Sequence, residues 1–298
     1  FLYDLPASSE LAGPADNLKK MFNGYRRVFM AGLNGHDPVF IAQTYTRDKD
    51  LWKWWVDHRQ LISRLGTFDM SGPQIMIYRN DIFSMAYSAP KAYPEVGSGR
   101  NPQSIWNWDL GRGTMQNLGQ SFVYISDCGL NDGKMNPYKL MIDCGNEVID
   151  KSAIEKIKEW VKRGGTFVTL PFTGRSTSLS PDSWPIEALS GCKIAKLRTP
   201  GKGTVKVLPD QDILKAFAGR TFPDKGRCLD WTGVNFDDIG VELKPGKNCR
   251  VLAVFENGEP AIVERKLGKG KVIVLGTAFW RSAQDRDGIW WPEKIERD

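Results

Sequence analysis

Between residues 138 and 170 the chain passes from a short apolar run to a segment of helical period and back again. Residues 138–143 (YKLMID) read as a strand. Ile154, Ile157, Trp160 and Val161 then share one face of a helix that Asp150 or Ser152 caps and Gly164-Gly165 stops, and 166–170 (TFVTL) is the next strand. Strand, helix and strand joined by short connections predict a parallel sheet with helices on its faces, a doubly wound, flavodoxin-like arrangement.

The same alternation occurs at the start of the chain. FLYDLP reads as the end of a buried strand broken by Pro6, and Leu18, Met21, Phe22, Tyr25 and Phe29 recur at helical spacing over 16–31. Residues 38–45 (PVFIAQTY) are a second buried strand. Leu51, Trp54, Trp55, His58, Leu61, Ile62 and Leu65 give a second helix one apolar face. Gly72-Pro73 marks a boundary. Beyond it, 74–79 and 121–126 read as strands, 84–103 as a loop and 104–119 as a helix. Towards the end, 204–208 and 249–255 are strands, Glu256-Asn257-Gly258-Glu259 is a hairpin turn, and Gly268-Lys269-Gly270-Lys271 is another turn leading into VIVLGT, so the sheet ends in antiparallel strands. The tail 281–298 carries two Trp and no period.

A chain of 298 residues suggests about two domains, and eleven Trp with fourteen Phe exclude disorder as the main state. No apolar run approaches the ~20 residues of a membrane-spanning helix, so no integral membrane protein is expected. FLYDLPASSE has no basic segment followed by an apolar one and there is no initiator Met, so the expectation is a piece of a longer protein, cytoplasmic or secreted, with any targeting segment elsewhere.

The net charge is +6, with Arg26-Arg27, Lys162-Arg163 and Lys266 to Lys271 scattered among acids. This is first a solvated surface. It also suits an anionic polysaccharide, while nucleic acid is not favoured as a partner. Five cysteines without a C-x-x-C pair argue against a structural zinc site and leave at least one thiol free, with Cys228 and Cys249 a conceivable pair. His36 and His58 are the only histidines, and His58, on an apolar helix face, is most simply a core residue. Neither Gly111-Arg112-Gly113 nor Gly201-Lys202-Gly203 sits as a phosphate loop must, and no cofactor is implied. The pattern over 121–174 shares the topology of class I glutamine amidotransferases. That chemistry needs a thiol at the strand-to-helix elbow and a downstream His; the elbow here is Pro171-Phe172-Thr173-Gly174, and Cys144 has no His near it in sequence.

The run from Tyr138 to Asp143, the capped helix, and Trp160-Val161-Lys162-Arg163-Gly164-Gly165-Thr166-Phe167-Val168 together resemble the amidotransferase-like trimerisation domain of family-42 β-galactosidases. VLAVFENGEPAIVERKLGKGKVIVLGT (251–277) resembles that domain's closing hairpin. In that family the domain follows a catalytic (β/α)₈ barrel. The resemblance therefore implies that residues 1–70 are the end of a barrel (strands 7–8 and helices 7–8), that 71–280 are a flavodoxin-like trimerisation-type domain, and that 281–298 are a tail. It implies a retaining glycoside hydrolase with two carboxyls about 5–5.5 Å apart, acting on a β-galactoside-like and conceivably anionic polysaccharide.

The family nucleophile is a Glu at the end of strand 7. The nearest match is Asp4 before Leu5-Pro6, with Glu10 as the second candidate; the acid/base, expected on strand 4, lies outside this chain. At the end of strand 8, Gln43, Tyr45 and Arg47 would face the barrel mouth, with Trp52 on its rim, because barrel sites form at the carboxyl ends of strands. Two strands cannot close a barrel. Residues 1–70 thus imply a missing barrel segment or chain as partner, beside a carbohydrate substrate and further copies of this chain in a homo-oligomer. The alternative, favoured by Asp in place of Glu at position 4, is a non-catalytic oligomerisation module with an inactive amidotransferase-like fold.

Overall fold

The computed structural model describes residues 2–3, 39–40, 57, 60, 75–80, 122–198, 203–209, 212–224 and 240–277. The helix expected over 16–31, the loop 84–103, the helix 104–119, the tail 281–298, and His36, His58 and Cys228 lie outside the described residues. The chain divides into two compact units, Phe1–Pro73 with Gly111–Phe122, and Gln74–Leu110 with Val123–Asp298.

In the first unit, β1 (Leu2–Tyr3) pairs with β2 (Val39–Phe40) in parallel, Leu2 opposite Val39 and Tyr3 opposite Phe40. Asp57 and Gln60 are helical and exposed, as expected of the polar side of the helix over 51–65.

The second unit is a mixed α/β structure in which sheet predominates. The strands of its main sheet are β3 (Ile75–Tyr78), β4 (Phe122–Ile125), β5 (Leu140–Asp143), β6 (Thr166–Thr169), β8 (Thr204–Val207), β9 (Thr221–Pro223), β11 (Cys249–Phe255), β12 (Pro260–Leu267) and β13 (Gly270–Leu275). They lie in the order β4-β3-β5-β6-β13-β12-β11-β8-β9. β3, β5, β6 and β13 run parallel, and from β13 onwards each neighbour is antiparallel to the last. β13 therefore joins a parallel half to an antiparallel half. A separate antiparallel pair, β7 (Cys192–Arg198) with β10 (Gly240–Pro245), was not expected. Lys193, Lys196 and Arg198 dilute the apolar alternation of β7, and its partner lies some forty residues away.

Among the described residues three α-helices accompany the sheet: α1 (Asp127–Asn131), α2 (Lys151–Lys162) and α3 (Glu187–Ser190). On α2 the residues of helical period, Ala153, Ile154, Ile157, Trp160 and Val161, are all buried. Asp150 occupies its N-cap position, but its carboxylate does not cap; it accepts from the Ser178 amide at 2.9 Å and the Ser178 hydroxyl at 2.7 Å. Ser152 is inside the helix. Of the two residues expected to cap, Asp150 therefore holds the position without a side-chain capping bond, because a loop that sequence distance hides competes for its carboxylate.

The Gly-Lys-Gly-Lys turn does more than reverse the chain. The Lys269 amide donates to the Lys162 carbonyl at 2.9 Å, which the end of α2 leaves open, and the Lys271 amide donates to the Gly165 carbonyl at 3.1 Å, which starts the pairing of β13 with β6. Only glycine permits this approach. A methyl group at Gly270 would collide with the carbonyl oxygens of Val161 and Gly165, and Gly268 has φ +62° against the Lys162 backbone. No helix among the described residues is long and apolar enough to cross a membrane.

Candidate functional site

The carboxyl ends of β3, β5 and β6 meet in a set of buried polar side chains: Asn80, Asp143, Asn146, Glu147, Thr173, Arg175 and Ser176. In open α/β sheets ligands bind outside the carboxyl ends of the strands where the order reverses. Here β3 has the next strand in sequence, β4, on one side and β5 on the other, so the reversal falls between β3 and β5.

The protein fills that crevice with its own groups. Asp143 ends β5, and its Oδ2 accepts from the Gly145 amide at 2.8 Å, the Asn146 amide at 2.9 Å and the Thr173 hydroxyl at 2.6 Å. Asn146 Nδ2 donates to Asp143 Oδ1 and to the Tyr78 carbonyl, the latter at 2.9 Å, while its own oxygen accepts from the Asn80 amide at 2.8 Å. Asn80 Nδ2 reaches the Val148 carbonyl at 2.8 Å. The Tyr78 hydroxyl donates to Asp127 Oδ1 at 2.5 Å. The segment after β5 is stitched to the segment after β6 by Gly174 N–H to Asn146 O and Ser176 N–H to Glu147 O, both 2.8 Å. Beyond it, Arg175 is buried, ion-paired with Asp182 and 5.5 Å from the centroid of the Phe172 ring.

Burial raises the Asp143 carboxyl from 3.8 to about 6, against the lowering effect of the hydrogen bonds from Thr173, Asn146 and Gly145. The folded state therefore holds this proton more tightly than the unfolded chain. Its stabilising contribution is complete below about pH 4 and is lost as pH rises through about 6. The stability difference between the parent and Asp143→Asn is expected to shift against the parent by on the order of 3 kcal/mol between pH 4 and pH 7. Urea denaturation followed at several pH values measures it; a difference independent of pH would show that Asp143 titrates normally.

The arrangement holds three strand ends in register and, among the described residues, presents no poised nucleophile. The elbow after β6 presents Thr173, whose Oγ1 accepts from the Leu170 amide at 2.8 Å and donates to Asp143, so the hydroxyl is fully engaged. Burial, and then the neighbouring Asp143 charge, push the Cys144 thiol well above its ordinary range, away from thiolate chemistry. Cys128, Cys144, Cys192 and Cys249 are free thiols among the described residues, and Cys228, the conceivable partner of Cys249, lies outside them. Among the described residues no three or more His, Cys, Asp or Glu converge as metal ligands would.

Asp4, Glu10, Gln43, Tyr45, Arg47 and Trp52, the residues expected to carry catalysis and substrate contact, lie outside the described residues. The residues that the fold does bring together, Asn80, Asp143, Asn146 and Thr173, are ones that sequence reasoning passed over. The available signal was the polar run Asp143-Cys144-Gly145-Asn146 directly after a strand.

The second unit's sheet and its closed crevice define a mixed α/β domain. In fold it is similar to solved β-galactosidases. That of Bacillus circulans sp. alkalophilus is 14% identical, with 76% of this chain and 32% of that chain covered and a TM-score of 0.55. The cold-adapted enzyme of a Rahnella species is 13% identical, with 84% and 34% covered and a TM-score of 0.58. This chain spans about a third of the length of these enzymes. Residues 127–287 match the family described as the beta-galactosidase trimerisation domain, and the chain belongs to that family. The resemblance read from the sequence, to the C-terminal part of family-42 β-galactosidases, holds. No curated protein matches the chain.

Proposed function

We propose that this chain is the C-terminal portion of a glycoside hydrolase of the family-42 β-galactosidase type. Residues 1–70 are the last quarter of its catalytic barrel, and 71–280 are a flavodoxin-like domain through which copies of the chain assemble. The observation that carries the reading is the family match over 127–287. Two features of the fold support it. β1 and β2 pair in parallel across an intervening stretch long enough for a crossover helix, as neighbouring barrel strands do. In the second unit, β4-β3-β5-β6-β13 follows the 2-1-3-4-5 order of flavodoxin-like sheets.

In this reading Asp4 is the nucleophile, and Glu10 is the carboxylate that replaces it if the strand end is set one turn later. Gln43, Tyr45, Arg47 and Trp52 line the mouth, where an aromatic face stacks on sugar C–H bonds and Arg47 holds an oxyanion by two parallel hydrogen bonds. The acid/base comes from barrel strands outside this chain. A shorter side chain at the nucleophile position requires the sugar to sit deeper, because the covalent step fixes the distance between the two carboxyls.

The test is hydrolysis of a panel of aryl β-glycosides by the full-length protein. Asp4→Asn is expected to lower kcat on the order of 10³-fold or more, as loss of a nucleophile does elsewhere, while Glu10→Gln stays near the parent rate. The reverse result moves the nucleophile to Glu10. If neither substitution slows the reaction, the site assignment is wrong.

A further inference from the structure

Two cysteines outside the crevice stand at strand ends that the fold presses together. Cys192 opens β7, and Cys249 opens β11 fifty-seven positions later. β10 and the turn after it close that distance. Pro245 is opposite Cys192 in the register, and the Cys249 amide donates to the Gly246 carbonyl at 3.1 Å, a tight turn that brings the chain straight back. The Gly246 amide donates to the Gly191 carbonyl at 3.1 Å, and a methyl group at Gly246 would sit 2.7 Å from that oxygen, so the turn lies directly on the residue before Cys192. The Cys249 thiol uses the same carbonyl: its Sγ is 3.4 Å from the Gly191 oxygen and 3.8 Å from the Ser190 oxygen. That carbonyl belongs to the peptide bond that Cys192 completes, so the Cys249 sulfur is at most about 6 Å from the Cys192 α-carbon.

The two sulfurs are not equivalent. Cys249 is half-buried, whereas Cys192 is fully buried. Burial first, and then the charge of Cys249, push the Cys192 thiol up to about 12, so the two sulfurs lie within each other's field. A thiol that resists ionisation is not stabilised in its reduced form, and a disulfide built from such a thiol resists reduction.

We propose that Cys192 and Cys249 are a latent disulfide, closed by a small-molecule disulfide of the glutathione type and fastening the β7–β10 pair to the start of β11. The Cys249 thiolate attacks one sulfur of the oxidant. A new S–S bond forms, the oxidant's own S–S bond breaks, and one small thiol leaves. Cys192 then loses its proton and attacks the Cys249 sulfur, which expels the second small thiol. Two protein thiols are oxidised, one small disulfide is reduced, and the two protons pass to the departing thiolates. Cys249 reacts first because the buried partner has neither access nor thiolate character. For the same reason the second step is the slow one, and an adduct on Cys249 precedes the crosslink. The Gly191 carbonyl keeps the Gly246 amide when the Cys249 thiol turns away, so it is not orphaned.

Incubation of the full chain with excess oxidised glutathione or with dithiothreitol, at mildly alkaline pH, tests the proposal. Each sample is alkylated and digested with trypsin without reduction. The oxidised sample is expected to yield a linked pair of peptides, 176–193 carrying Cys192 and 248–250 carrying Cys249. Its urea midpoint is expected to lie about 1 M above that of the reduced sample, because the crosslink closes a long loop in the unfolded chain. Cys192→Ser is expected to stop at the glutathione adduct on Cys249, Cys249→Ser to form no crosslink at Cys192, and both to lose the rise in midpoint. The comparison of oxidised with reduced parent needs no substitution, so it stands even where a variant fails to fold. Full alkylation of both cysteines after oxidation, a link from Cys249 to Cys228 or any other cysteine, or a Cys192–Cys249 link that leaves the midpoint unchanged or lower overturns the proposal.

Discussion

Trp160→Ala is expected to cost about 4 kcal/mol of stability, read as a lower urea midpoint by circular dichroism with an unchanged slope. Trp160 is 2% exposed on the inner face of α2, and truncating a buried Trp typically costs about 3–5 kcal/mol through lost transfer energy and a residual cavity. Two local features limit how well the site could collapse. The indole Nε1–H donates to the Met135 carbonyl at 2.9 Å, which would lose its partner, and the ring lies where a methyl group on Gly165 would be 2.5 Å from it. The indole thus fills the space that a glycine leaves open at the turn into β6. Trp160→Phe keeps most of the apolar volume and forfeits the hydrogen bond, so it is expected to lose about 1–2 kcal/mol. A Trp160→Ala protein within 1 kcal/mol of the parent would show that α2 is not anchored there.

Asp224→Ala is expected to lose about 3–5 kcal/mol, the usual consequence of removing one partner from a buried ion pair. Asp224 follows β9 and is fully buried. Its Oδ1 accepts from the Thr277 hydroxyl at 2.6 Å and its Oδ2 meets the Arg198 guanidinium, which is 3.5 Å from the centroid of the Phe255 ring. One carboxylate therefore ties β7, β9, β11 and the end of β13 together. Without it, a poorly hydrated cation and a hydroxyl are left facing apolar groups. Two comparisons separate pairing from packing: Asp224→Asn keeps an oxygen for Thr277 and is expected to cost less, and removing Arg198 as well, by Arg198→Met, is expected to recover part of the Asp224→Ala loss. If Asp224→Ala unfolds at the parent's urea midpoint, the pair is a bystander.

These two residues also differ in how visible they are in the amino-acid sequence. Trp160 belongs to a run of apolar residues three and four apart, and helix geometry alone places such residues on one face. The same holds for 140–143, 166–169 and the hairpin around Asn257-Gly258, where short-range pattern and turn chemistry give the element directly. Asp224 and Arg198 carry no such signal. Each reads as an ordinary surface charge until strands twenty-six residues apart are brought side by side. Asp143, Asn146, Asn80 and Thr173 are similar: their partners lie 3, 30 and 66 residues away. The pair β7–β10 was invisible because an edge pairing of half-polar strands has neither a strong period nor a short connection.

What the sequence by itself determined is β3 to β6, α2, β8 and β11 to β13 of the second unit, the antiparallel close of its sheet, and the family, because periodicity, glycine placement and turn residues act over a few positions. What only the tertiary structure decided is that β13 sits beside β6 and welds the two halves into one sheet. It also decided that the Gly268–Lys271 turn closes the end of α2, and that the crevice where such sheets usually bind ligands is occupied by Asp143 and its donors. Those outcomes depend on which distant backbone groups and charges can satisfy one another once water is excluded, and that is a property of the assembled core.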